Sequence, residues 1–133
     1  MQAFRKVQIA AFAVLLVSSA VALADGPFAG VHTAANRTKY SGTGCPISIL
    51  YTATINLYPH RGLAFNYHWE RSDGSKSGVQ VVRLPANQRS MVVHATWRLG
   101  LKGKEYNASD TFFVNSGNTH LSQASPAVTI KCR

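Results

Sequence analysis

Few side chains in this 133-residue chain are equipped for chemistry: five histidines, five carboxylates and two cysteines. His32, His60, His68, His94 and His120 never stand at H-x-H or H-x-x-x-H spacing, the local arrangements that put two imidazoles on one metal. No G-x-S-x-G nucleophile elbow is present. Glu70, Asp73, Glu105 and Asp110 read as turn residues and ion-pair partners. Glycoside hydrolysis needs two carboxylates facing each other across a cleft, and nothing in the pattern supplies one. No catalytic residue, metal ligand or cofactor is therefore expected. Cys45 and Cys132 lie 87 positions apart, unlike the close C-x-x-C spacing of redox-active or metal-binding pairs, so they read as a structural disulfide. Closing a loop of that length is worth roughly 4–5 kcal/mol on the chain-entropy account.

The charge is lopsided. Fourteen Lys and Arg stand against five Asp and Glu, a net +9. Arg5 and Lys6 precede an apolar run from 7 to 17, and Ala22-Leu23-Ala24 places small residues at the −3 and −1 positions of a cleavage site. This is the layout of a secretory signal peptide over residues 1–24. Cleavage leaves 109 residues, enough for one domain with its own core, in an oxidising compartment where the two cysteines can pair. The mature chain keeps a net +7 and no second apolar run long enough to span a membrane. It is expected to be secreted or periplasmic. Its basic balance favours anionic partners, and the densest candidates for a binding surface are Arg71 and Lys76 on one hairpin, and Arg98, Lys102 and Lys104 on another.

The elements that must carry these residues show a period of two. From 45 to 58, odd positions are Cys45, Ile47, Ile49, Tyr51, Ala53, Ile55 and Leu57, and even positions are mostly polar. After a Pro-His-Arg-Gly turn at 59–62, Leu63, Phe65, Tyr67 and Trp69 alternate with Ala64, Asn66, His68 and Glu70. Ser72-Asp73-Gly74-Ser75 reads as a hairpin turn. A strand over 79–84 is stopped by Pro85, and 90–99 alternates again, with Met91, Val93, Ala95, Trp97 and Leu99 inward. The stretch 104–114 reads as one strand with a bulge, and 128–133 as the last strand. A possible first strand at 37–41 completes about seven, and residues 25–35 read as a loosely ordered segment before the domain at 36–133. If the strand order of a sandwich holds, parity puts His68 and His94 on outer faces of opposite sheets, so a metal site built from this pair is not expected.

Cys45-Pro46, the run from Tyr67-His68-Trp69-Glu70 to Arg71-Ser72-Asp73-Gly74, Trp97-Arg98-Leu99-Gly100 and Lys131-Cys132 resemble the pattern of small immunoglobulin-like domains exported by bacteria. The resemblance implies an all-β fold, an antiparallel β-sandwich of about seven strands, with Trp69 placed where such domains pack a core Trp near their inter-sheet disulfide. Ile130 stands where immunoglobulin domains carry a Tyr two residues before the second Cys, and Cys132 lies in the last strand, so antibody-type binding loops do not carry over. Fold does not dictate function. The functional expectation is an exported, non-catalytic binding or interaction module at the cell envelope or outside the cell. Its partner would be an anionic envelope polymer, a glycan or a protein. The alternatives are a structural or assembly component and a secreted enzyme inhibitor acting through the loop at 59–62 or 115–118.

Overall fold

The alternation that begins at Ile47 drives the architecture. In a computed structural model, which describes Val21–Ala22 and residues 26–133, this segment forms β4 (Ile47–Leu57), with every odd position buried. Such a strand needs partners on both edges. It pairs antiparallel with β7 (Ser90–Leu99), from Ile47↔Leu99 to Asn56↔Ser90, and on the other edge with β2 (Phe28–Ala35). The two-residue β1 (Val21–Ala22) extends this first sheet to the order β1-β2-β4-β7.

A second four-stranded sheet has the order β10-β9-β5-β6, built from β5 (Leu63–Arg71), β6 (Gln80–Leu84), β9 (Asp110–Ser116) and β10 (Thr119–Ala124). Its apolar face meets that of the first sheet. Phe28 lies edge-on to Phe65 at 5.8 Å, and Trp69 packs on Phe112 at 4.9 Å. A third, short sheet joins β3 (Lys39–Gly42), β11 (Val128–Cys132) and β8 (Glu105–Ala108). Val128 and Ile130 from this sheet are fully buried in the same core. The Cys45–Cys132 disulfide ties the start of β4 to the end of β11. Gly100, with φ +123°, passes so close that a Cβ there would lie 2.8 Å from Cys132 Sγ, which leaves room for glycine alone.

The described residues are all-β, without helix, and contain ten strands of four or more residues besides β1. Several expectations are corrected. The count of seven is too low, and the pairing is not antiparallel throughout, because β3 and β11 run parallel. Of the segment 25–35 expected to be loosely ordered, Phe28–Ala35 forms β2, in which Phe28, Val31 and Thr33 are buried. A register shift between Phe28 and Gly30 inserts an extra residue, so the buried positions are 28, 30, 31 and 33, and the alternation is lost. The bulged strand expected at 104–114 is two strands in different sheets. The chain breaks at Ser109, where Ser109 N donates to Ser72 Oγ (3.1 Å), Ser72 N donates to Ser109 O (2.9 Å) and Asp110 N donates to Ser125 Oγ (3.0 Å). The leader expected over 1–24 lies outside the described residues, apart from Val21–Ala22.

Candidate functional site

β7 is the edge of the first sheet and β6 the edge of the second. β6 covers only Leu63 to Tyr67 of β5. Beyond that point β5 has a single bridge, Glu70↔Lys76, along this edge. The shortfall leaves a groove of about 340 Å³ between β7 and the end of β5, lined by Tyr67, Trp69, Arg71, Ser77, Gly78, Gln80, His94, Ala95 and Thr96. The expectation that the pattern supplies no cleft is therefore overturned. Alternation describes one strand at a time, whereas the cleft arises from the unequal lengths of two strands in different sheets.

Under the groove lies a chamber of about 100 Å³, which shares Trp69, Arg71, Ser77 and Ala95 with it and adds Lys76 and Asp110. Its origin is local. Arg71 and Asp110 are cross-strand partners and so project to the same side of their sheet, as does Trp69 two residues earlier. Opposite them, Tyr51 pairs with Ala95, whose small side chain leaves the space. The Arg71 guanidinium reaches across to the first sheet, donating from Nη2 to Thr96 O at 3.2 Å and lying 5.2 Å from the centre of the Trp97 ring. It roofs the chamber.

Three buried polar atoms have no hydrogen-bond partner among the described residues: Trp69 Nε1 and Asp110 Oδ1, on residues that line the chamber, and Tyr51 Oη, on a residue that does not. Leaving such a group unpaired costs about 1–3 kcal/mol. Asp110 is 1% exposed, and burial raises its carboxyl from an ordinary 3.8 to about 6, with the Arg71 charge opposing and Asp73 adding to the rise. Burial likewise pushes the Tyr51 phenol up to about 12, reinforced by Asp110 and opposed by Arg71. Asp110 was expected to be a turn or ion-pair residue, and that reading is corrected. Its signal was present, since Asp110, Phe112 and Val114 share inward parity once β9 is known to begin at Asp110.

The other carboxylates among the described residues, Glu70, Asp73 and Glu105, sit at the surface. Glu70 takes Lys76 Nζ at 2.9 Å, with His68 Nε2 at 3.5 Å. Asp73 Oδ1 accepts from Ser75 N and Oγ, closing the turn at Gly74. Glu105 lies 3.8 Å from Lys131. Of the five candidate cations, Arg71 and Lys76 come together at the chamber. Arg98 lies on the opposite face of β7, because Trp97 and Leu99 on either side of it turn inward. Lys102 and Lys104 are exposed beyond β7, and none of these last three forms an ion pair among the described residues. The five residues thus form two separate groups.

The histidines serve local structure. His60 Nδ1 accepts from Gly62 N, which leaves Nε2–H to donate to Gln88 O at 2.7 Å. His68 stacks on Phe113 at 4.8 Å, His94 Nδ1 lies 3.1 Å from Thr52 Oγ1, and His120 Nδ1 lies 2.6 Å from Asn115 Oδ1. Among the described residues, no three His, Cys, Asp or Glu side chains are grouped to hold a metal ion.

A second cleft of about 300 Å³ lies beyond the Arg71–Trp97 stack, between Trp97, Leu99, Tyr106 and Ala108, with Ser72 and Asp73 at its rim. Its polar groups are engaged locally: Tyr106 Oη accepts from Leu101 N at 2.9 Å, and Asp73 is held in its turn. The groove with its chamber is therefore the better-built site. Compared with protein-family models, curated proteins and solved structures, the chain matches none.

Proposed function

We propose that this chain is a small exported binding module, non-catalytic and built as an immunoglobulin-like β-sandwich, that takes a glycan chain in the groove along the free edge of β7. The observation that carries this reading is the lining of the groove. It combines an aromatic ring (Tyr67), a hydrogen-bonding side chain (Gln80) and a cation (Arg71), with His94 and Thr96 of β7 at its rim. Sugars need that mixture, since a pyranose presents an apolar face to a ring and hydroxyls to planar polar groups. The net +7 of the mature chain favours acidic glycans by long-range attraction. Asp110 is the one carboxylate among the residues lining groove and chamber, whereas glycoside hydrolysis uses two. The leader and the Cys45–Cys132 disulfide accord with an extracytoplasmic setting.

The test is electrophoresis of the purified chain through gels containing alginate, a polyuronate. Retardation at low salt is expected, weakening as salt rises. The double variant Gln80→Ala/His94→Ala keeps the net charge and should lose most of the retardation. Migration unaffected by acidic and neutral polysaccharides alike overturns the reading. A second reading, assembly through sheet edges, draws on the exposure of Val79 and Val81, 62% and 73%, beside the edge strand β6. Sedimentation that depends on concentration would favour it.

A further inference from the structure

We infer that the exported chain forms a two-fold dimer in which β2 pairs antiparallel with β2 of a second copy, taking the place that β1 occupies here. This rests on the reading that residues 1–24 are a leader removed on export, and it does not depend on the glycan reading.

β1 shows that the outer edge of β2 accepts an added strand, with Val21 opposite His32 and Ala22 opposite Val31. Both residues of β1 lie within the leader, so its removal returns that edge to an unpaired row of N–H and C=O groups. β2 itself is held from within. Phe28, Val31 and Thr33 are buried, and Thr33 Oγ1 donates to Ala124 O at 2.8 Å. The edge is therefore presented as a fixed extended strand, and pairing needs little further ordering. Charge sets it apart from the other edges. Edge strands are commonly protected by charged side chains or Pro, and β6 carries Arg83, β7 Arg98, β3 Lys39 and β8 Glu105. β2 and β10, the edges that meet on one side of the sandwich, contain no Lys, Arg, Asp, Glu or Pro. In a chain of net +7 this is the side on which two copies approach with least repulsion. An unprotected strand that pairs with itself about a two-fold axis satisfies both rows of backbone groups and closes the assembly at two copies. The first sheets of the two copies then join in the order β7-β4-β2-β2-β4-β7. The β7 edges, each with its groove, stand at the two ends, about 25 Å apart at the usual strand spacing.

Sedimentation velocity of the exported chain, with its N-terminus fixed by intact mass, tests this. A chain beginning at Asp25 should pass from one copy to two between about 1 and 100 μM. His32 is half-buried on the outer face of β2, and His32→Lys sets like charges beside each other near the axis. It should weaken the dimer at least about tenfold. Val81→Lys, on the exposed edge strand β6, should leave the dimer unchanged, with thermal melts confirming that both variants fold. In the wild-type chain, amide exchange over 28–35 should slow at the higher concentration while that over 80–84 stays the same, a readout that needs no variant. A single copy at every concentration overturns the inference and leaves the export reading standing. So does a dimer whose protection appears in 80–84 and not in 28–35, which assigns the assembly to β6, or a dimer that folded His32→Lys does not weaken. An exported chain that keeps Val21–Ala22 also overturns it, because β1 then fills the edge. Recovery of the chain with its leader uncut overturns the export reading as well.

Discussion

The two long sides of the molecule are closed in different ways. Where β2 and β10 approach each other, Thr33, 1% exposed, donates from Oγ1 to Ala124 O at 2.8 Å, and Phe28 meets Phe65 edge to face. Polar groups are matched across the gap and aromatic surface fills it. On the β7 side, β6 stops short, Ala95 stands opposite Tyr51, and the sheets are bridged by one reaching side chain, Arg71, over three unmatched polar atoms. The same fold thus satisfies its buried polar groups on one side and, among the described residues, leaves three of them unpaired on the other.

The sharpest way to break this contrast is through pH. Because burial lifts the Asp110 carboxyl from 3.8 to about 6, the folded chain holds a proton between those values that the unfolded chain has released. Stability from this group is therefore full below about pH 4 and lost as pH rises through about 6, with a total of about 3 kcal/mol at most. Glu70, held low by its hydrogen bond to Lys76, and Asp73, held low by Ser75, slope the other way. The quantity to follow is therefore the difference between wild type and Asp110→Asn in urea denaturation from pH 4 to 7. The variant should gain on the wild type as pH rises. A difference independent of pH means that Asp110 is not a buried carboxylate, and the two sides are then alike.

A smaller effect compares hydroxyl with hydroxyl. Thr33→Val deletes a donor whose carbonyl partner is left behind, and should cost about 1–2 kcal/mol. Tyr51→Phe deletes a hydroxyl that has no partner among the described residues, and should leave stability within about 0.5 kcal/mol of wild type. Equal losses in the two denaturation midpoints would erase the distinction. The smallest effect concerns charge at two places. Arg71→Gln and Arg98→Gln remove the same charge, one from the groove and one from the opposite face of β7. Retardation by alginate should weaken several-fold for the first and less than about twofold for the second. Matching losses would indicate diffuse attraction to a basic surface.

Much of the framework was legible in the residues. β4, β5 and β7 alternate without interruption, so their inward faces could be read one residue at a time, and the pairing of Cys45 with Cys132 needed no choice among partners. β2 escaped because its bulge shifts parity between Phe28 and Val31. The division of 105–116 into β8 and β9 escaped because the hydroxyls that turn the chain there, Ser72 and Ser125, lie far away in sequence. The site was legible only in pieces. The inward parity of Trp69 and Ala95 was clear, and Arg71 and Lys76 stood out as neighbouring charges. That they surround one chamber with Asp110 was not visible.

From composition and alternation alone follow a basic, all-β chain with a single disulfide and a core built on Tyr51, Trp69 and Trp97. These are local properties, since burial parity and charge belong to each residue and its immediate neighbours. Which strands pair, which edge remains free, and which polar atoms are buried facing one another depend on contacts between residues distant in the chain. Period-two alternation is blind to those contacts, so the groove and its chamber came into being only when the two sheets closed.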